Sequence, residues 1–214
     1  MDWNSNITTI ARETIKILGL LYVEPQSVIV FDIDETVINL DGTPIDQMMV
    51  VYNYSKMIGL KPIFITGREH NDATVTFTQK QLEFIGATGY ESIFFRPAQE
   101  MNQFLYKSNA RKEIIRRGNT VVMSIGDMPW DIGKHGGIGI LVPKKSDYGK
   151  GIRRIFPTVE HTPVSVDRTL ASTTSSDDSD ETVTTSTSAS ESSVVGDQSK
   201  VIESSLKNSY DRFK

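Results

Sequence analysis

SVIVFDIDETVI, residues 27–38, is an apolar run suited to the centre of a sheet, yet it ends in three acids within four residues, Asp32, Asp34 and Glu35. A carboxylate at the edge of a core is costly to desolvate unless a cation, a donor network or a chemical task holds it there. If the strand stays extended, Asp32 and Asp34 project to the same side and Ile33 to the other. Two carboxylates so placed repel each other. They suit a bound divalent cation, or a division of labour in which one group is ionised and the other carries a proton. The plainer alternative is a set of N-capping acids for the turn that follows.

Outward from this stretch, apolar strand-like runs alternate with amphipathic segments. A helix from about Pro44 to Ile58 precedes KPIFIT, and a helix from about Asp72 to Ile85 precedes SIFFR. A helix through Lys107 to Arg117 leads to TVVMSI and finally to IGILV. Short β-branched or aromatic runs separated by helices predict βαβ units, and so an α/β fold with a five-stranded, mainly parallel sheet covered on both faces. Ligands of such sheets sit beyond the carboxyl ends of the strands. Three polar clusters fall there: Asp32 to Glu35, Thr66-Gly67-Arg68, and Gly126-Asp127. Upstream, Ile7, Ile10, Ala11, Ile15, Leu18 and Leu21 recur at near-helical spacing, which predicts a packing helix within residues 1–24 before Pro25 resets the chain. The main domain is expected over residues 25–157.

The net charge of −4 is unevenly spread: residues 1–159 hold 18 Lys/Arg against 17 Asp/Glu, and residues 160–200 hold 2 against 8. A near-neutral folded part is therefore followed by an acidic segment. Residues 158–200 are dominated by Ser, Thr and Asp and offer too little apolar surface to offset ordering entropy, so they are expected to be disordered. The acids that follow Ser175, Ser176 and Ser179 suit an acid-directed kinase; a solvating spacer is the other reading. In residues 201–214, Ile202, Leu206, Tyr210 and Phe213 fall on one helical stripe, either a docking helix for a protein partner or a frayed tail. The stretch KKSDYGKGIRR, 144–154, is basic enough to attract a polyanion such as nucleic acid, or to neutralise the acidic tail. Cysteine is absent, which excludes disulfides, thiolate metal sites and thiol catalysis. The N-terminal apolar residues are interrupted by Arg12, Glu13 and Lys16, so neither a signal peptide nor a membrane span is expected, and a cytoplasmic location is.

FDIDET at 31–36, ITGR at 65–68, YKSNAR at 106–111 and IGDMPWD at 125–131 resemble the four ordered motifs of the haloacid dehalogenase (HAD) superfamily of phosphohydrolases. With YNYSKMIGLKPIFITGRE and FFRP, the last two resemble its class B, or subclass IIIB, acid phosphatase branch, over about residues 25–143. The resemblance implies a three-layer Rossmann-like fold and an Mg²⁺-dependent phosphomonoester hydrolase. Asp32 would be the nucleophile that forms an aspartyl-phosphate, and Asp34 would act as acid and then base. Thr66 and the Gly67 amide would donate to the phosphoryl group, and Lys107 rather than Lys112 would neutralise its charge. Arg111 completes the Tyr-Lys-Arg pattern as a substrate contact. Arg68 would either touch a substrate phosphate or support the Thr66 loop. Asp32, Asp127 and the backbone carbonyl of Asp34 would hold Mg²⁺, with Asp131 ordering water beside it. Glu35 is left out of the chemistry. Met128, Pro129 and Trp130 depart from the polar residues expected between the last two acids.

Only about eight residues, Asn39 to Asp46, separate the first motif from the next helix, too few for the substrate-selecting cap usual in the superfamily. An open site is expected, suited to a small phosphate ester or an exposed macromolecular phosphate. A phosphotransferase using the same intermediate, and a non-catalytic binding protein on the same fold, are the alternatives. The intact set of Asp32, Asp34, Thr66, Lys107 and Asp127 argues against the second.

Overall fold

A computed structural model describes residues 2–148. The expected disordered segment 158–200, the helical stripe 201–214, the end of the domain at 157 and the distal part of the basic stretch lie outside the described residues. Strands β1 (Ser27–Phe31), β2 (Lys61–Glu69), β3 (Ser92–Arg96), β4 (Thr120–Gly126) and β5 (Ile138–Leu141) form one sheet in the order β3-β2-β1-β4-β5. Every neighbouring pair is parallel. Helices α1 (Trp3–Leu18), α2 (Asp46–Met57), α3 (Asp72–Phe84) and α4 (Gln103–Arg116) flank it, and a short α5 (Lys145–Tyr148) follows β5.

The alternation within β1 explains the three layers. Val28 and Val30 pack with Tyr106, Ala110 and Ile114 of α4 on one face, while Ile29 and Phe31 join α1 and α2 on the other. All five residues of β1 are buried, which is why the run reads as continuously apolar. On the α1/α2 face, Phe31, Tyr52 and Phe64 form an aromatic cluster with ring centroids 5.6–6.2 Å apart. Side chains set the helix starts: Asp2 accepts from the Ser5 amide, Asn71 from that of Thr74, and Asn102 from that of Leu105. Trp3 ties α1 to the far end of the fold, its Nε1 donating to the Pro143 carbonyl at 2.8 Å.

One boundary differs from the sequence reading in a way that matters for the site. β1 stops at Phe31 instead of running on to Ile33. The Ile33 carbonyl accepts from the amides of Thr36, Val37 and Ile38, and Glu35 takes a left-handed φ of 54°, so the chain coils into a tight turn directly after Asp32. The link to α2 is equally compact, closed by donation from the Asn39 amide to the Thr43 carbonyl at 2.8 Å. No helix among the described residues is long and apolar enough to cross a membrane.

Candidate active site

The site grows from the central strand. Asp32 follows β1, which lies between β2 and β4, and its amide donates to the Ile125 carbonyl at 2.9 Å. Asp127 follows β4, so the two carboxylates emerge side by side at one sheet edge. Asp131 is folded back over Gly126. A Cβ at Gly126 would lie 2.1 Å from the Cβ of Asp131, so only glycine leaves room for this return. The Met128 amide fixes the acid further by donating to its Oδ2 at 2.8 Å. As a result Asp32, Asp127 and Asp131 are all buried, with one oxygen of each within 4.8 Å of the others.

Two lysines answer this charge. Lys107, one of the deeply buried residues of α4, donates from Nζ to both Asp32 and Asp131. Lys112 is exposed on the same helix, and Arg116 and Arg117 pair with Glu113 on its outer face. From the segment after β5, Lys144 places its Nζ 2.8 Å from Asp127 and 3.7 Å from Glu35. Glu35 also accepts from the Ser146 amide at 3.1 Å, so this acid, set aside on sequence grounds, is buried in the wall of the site. Thr36, fully buried, donates weakly to Asp32 and Asp127, at 3.5 Å each.

Burial pushes the Asp32 carboxyl well above the usual carboxylate range; Lys107 opposes this, and the neighbouring Asp131 and Asp127 reinforce it. Asp127 is raised for the same leading reason, burial, with Lys144 acting against it. Burial also works to lower Lys107, but the attraction of Asp32 and Asp131 outweighs it and leaves the ammonium raised. Counted formally, the carboxylates of Asp32, Asp127, Asp131 and Glu35 face two ammonium groups, which leaves two negative charges in a largely buried basin. The hard oxygen donors and the excess charge of two fit a divalent cation.

Asp34 lines the same basin as Asp32, but its side chain is held otherwise than the alternation predicted. Because the chain turns after Asp32, its half-exposed side chain points to Arg68, whose Nε and Nη2 donate to the two carboxylate oxygens at 3.0 and 2.6 Å. The repulsion on Asp32 therefore comes from Asp131 and Asp127 and not from Asp34. Arg68 also donates from Nη1 to Thr78 and Gln81, so its guanidinium braces Asp34 against α3. Arg111 needs a firmer correction. It is 1% exposed, and it donates to the carbonyls of Lys134, Asp131 and Trp130. It is the internal brace of the 126–136 loop and offers nothing to a substrate; burial lowers its pKa to about 10.

Thr66 is fully buried, its Oγ1 accepting from the Arg68 amide at 3.2 Å, while Gly67 reaches the wall of the basin. Gln103 of α4 stands against Gly67 so closely that a Cβ there would meet its amide at 3.1 Å. The basin, about 200 Å³, is completed by Met128 and Trp130, two of the three unexpectedly apolar members of the last motif. Leu40, at its rim, is 75% exposed. His70 and His135 are exposed and outside the basin's lining.

Sequence reasoning missed Glu35, Lys144 and Gln103. The Glu35 signal was its place inside the motif itself. Lys144 carried none, because its approach depends on how the chain leaves β5, and Gln103 looks like any polar residue in the first turn of a helix.

Comparison with known proteins agrees with this geometry. The family model described as HAD superfamily, subfamily IIIB (acid phosphatase), matches residues 39–156, taking in Thr66, Lys107, Asp127 and Asp131 and beginning just after the Asp32 turn. The stem 28 kDa and stem 31 kDa glycoproteins of Glycine max are each 27% identical over 64% of this chain, covering 65% and 56% of their own lengths. Vegetative storage protein 1 of Arabidopsis thaliana is 27% identical over 43% of the chain and 34% of its own. The chain thus spans less than two thirds of each of these relatives. A crystal structure of the class C acid phosphatase from Bacillus anthracis with tungstate bound superposes with a TM-score of 0.51 at 14% identity, over 66% of this chain and 78% of that one, and so shares the fold. With a family match across more than half its length and the motif residues gathered at one sheet edge, the chain belongs to subfamily IIIB, the acid phosphatases, of the HAD superfamily.

Proposed function

We propose that the protein is a phosphomonoester hydrolase working through Asp32. The observation that carries this is the carboxylate of Asp32 at the end of the central strand, held by the Lys107 ammonium and faced by Asp127 and Asp131. A carboxylate that only stabilised the fold would gain little from two like-charged neighbours. An Asp32 oxygen attacks phosphorus, the ester P–O bond breaks, and the leaving oxygen takes a proton from Asp34. Water then gives a proton to the Asp34 carboxylate and attacks the same phosphorus, and the bond to Asp32 breaks. Asp34 lines the basin with both of its oxygens bonded to Arg68, so the acid step requires one of them to leave the guanidinium.

Lys107 opposes the burial that raises Asp32 and neutralises the incoming phosphate, the Gly67 backbone allows close approach, and Asp131 accepts from Lys107 alongside Asp32. Asp32, Asp127 and the backbone carbonyl of Asp34 would hold Mg²⁺. When bound, it would supply the positive charge that offsets burial of the carboxylates and the approach of an anionic substrate. Asp131 has both oxygens engaged, by Lys107 and the Met128 amide, which supports an orienting role over direct ligation. The cysteine-free composition supports a cytoplasmic place of action. The test is hydrolysis of a chromogenic phosphate ester with Mg²⁺. Asp32→Asn should lose at least ~10³-fold in kcat while keeping its far-UV circular dichroism; unchanged turnover in that variant would rule the reading out.

A further inference from the structure

Lys144 comes from outside the four motifs yet places its ammonium on one of their acids. It sits 2.8 Å from Asp127 Oδ2 and 3.7 Å from Glu35 Oε2, in the wall of the same basin. The segment that carries it is anchored at several points. The Pro143 carbonyl accepts from Trp3 of α1, the Ser146 amide donates to Glu35, Lys145 lies over the Trp3 ring at 5.3 Å, and Tyr148 is hydrogen-bonded to Asn6. Glu35 holds its place with a left-handed φ of 54°, an unfavourable conformation for a residue with a Cβ that its surroundings must stabilise. Lys144 thus lies between two carboxylates a short side-chain swing apart, one expected to ligate metal and the other not.

We infer that Lys144 is a built-in competitor for the divalent cation: its ammonium occupies Asp127 when the metal is absent and passes to Glu35 when the metal enters. This inference rests on the metal site assigned above. The exchange follows from charge. Without the ion, Lys107 and Lys144 are the cations that keep the buried acids tolerable. With the ion, a cation in hydrogen-bond contact with the same carboxylate would be repelled, and Glu35 offers it a negatively charged landing place already held in position by Ser146. The protein therefore trades metal affinity for a stable metal-free state, and Glu35 sets how large that trade is.

The test is isothermal titration of the full chain with Mg²⁺ alone, together with thermal melts in a chelator. Lys144→Met should bind Mg²⁺ about tenfold more tightly, since entry no longer breaks a charge-assisted hydrogen bond, and should melt at a lower temperature in chelator. Lys144→Gln is a second variant with the same expected directions. Glu35→Gln should weaken Mg²⁺ binding in the Lys144 protein by more than it does when combined with Lys144→Met, because part of its effect runs through the lysine. If Mg²⁺ binds the wild type and Lys144→Met equally well, or binds the variant more weakly, the competitor role is overturned and the metal site stands. If no form binds Mg²⁺, both are overturned.

Discussion

Arg111 shows how much a residue's meaning depends on its surroundings. In sequence it belongs to a Tyr-Lys-Arg pattern, and in the folded protein it donates to three backbone carbonyls of the loop that carries Asp131. Arg111→Met should therefore cost about 2–4 kcal/mol of stability by urea denaturation, because one buried and two part-buried carbonyls lose their donor. A substrate contact would instead raise KM and leave the unfolding midpoint in place. Asp32 and Asp127 give a second prediction, concerning pH. Both are raised in the folded state, so between the unfolded carboxylate value and their folded values the native protein holds protons that the unfolded chain has released. The stability they contribute is present at low pH and is lost as pH rises through the folded values. Metal-free protein in chelator should show its melting temperature fall as pH rises above the ordinary carboxylate range, and Mg²⁺ should restore it most at the higher pH.

At the scale of elements, the 126–136 loop is the part that gathers the site. Its shape depends on Gly126, over which Asp131 returns, and on Gly137, whose φ of 65° and close approach to the Val122 backbone let the chain re-enter as β5. Gly126→Ala should push Asp131 off Lys107, cutting kcat by about 10²-fold or more, while costing only about 1–3 kcal/mol of stability. Activity assays and denaturant titrations of one sample check both halves, and equal losses in the two would argue against a positioning role for this glycine. The strands and the helices between them were readable because their signals are local: short apolar runs, and apolar residues at helical spacing. The turn after Asp32 was not. Nothing in DIDET separates an extended strand end from a coil in which Glu35 adopts a positive φ.

At the scale of the whole molecule, all the polar clusters lie at one edge of a sheet whose two faces are covered by helices, so chemistry is confined to that edge. Among the described residues, the compact link from Ile38 to α2 places no second layer over the basin. Phosphate carried on a large, exposed scaffold should therefore be hydrolysed nearly as well as a small ester. A phosphopeptide and a 3′-phosphorylated oligonucleotide, compared with a small alkyl phosphate, should give kcat/KM values within about tenfold of one another. A gap of several orders of magnitude in favour of the small ester would show that something closes over the site.

The sequence by itself determined the α/β class, the parallel run of short buried strands and the sheet edge where Asp32 and Asp127 meet, because periodicity and strand-end position are properties of neighbouring residues. Tertiary structure alone decided the pairings: Asp34 with Arg68, Arg111 with backbone carbonyls, and Lys144 with Asp127 and Glu35. The physical reason is that a long charged side chain reaches several possible partners. Which one it takes is settled by where burial makes an unpaired charge most costly, and that is known only once distant segments have packed together.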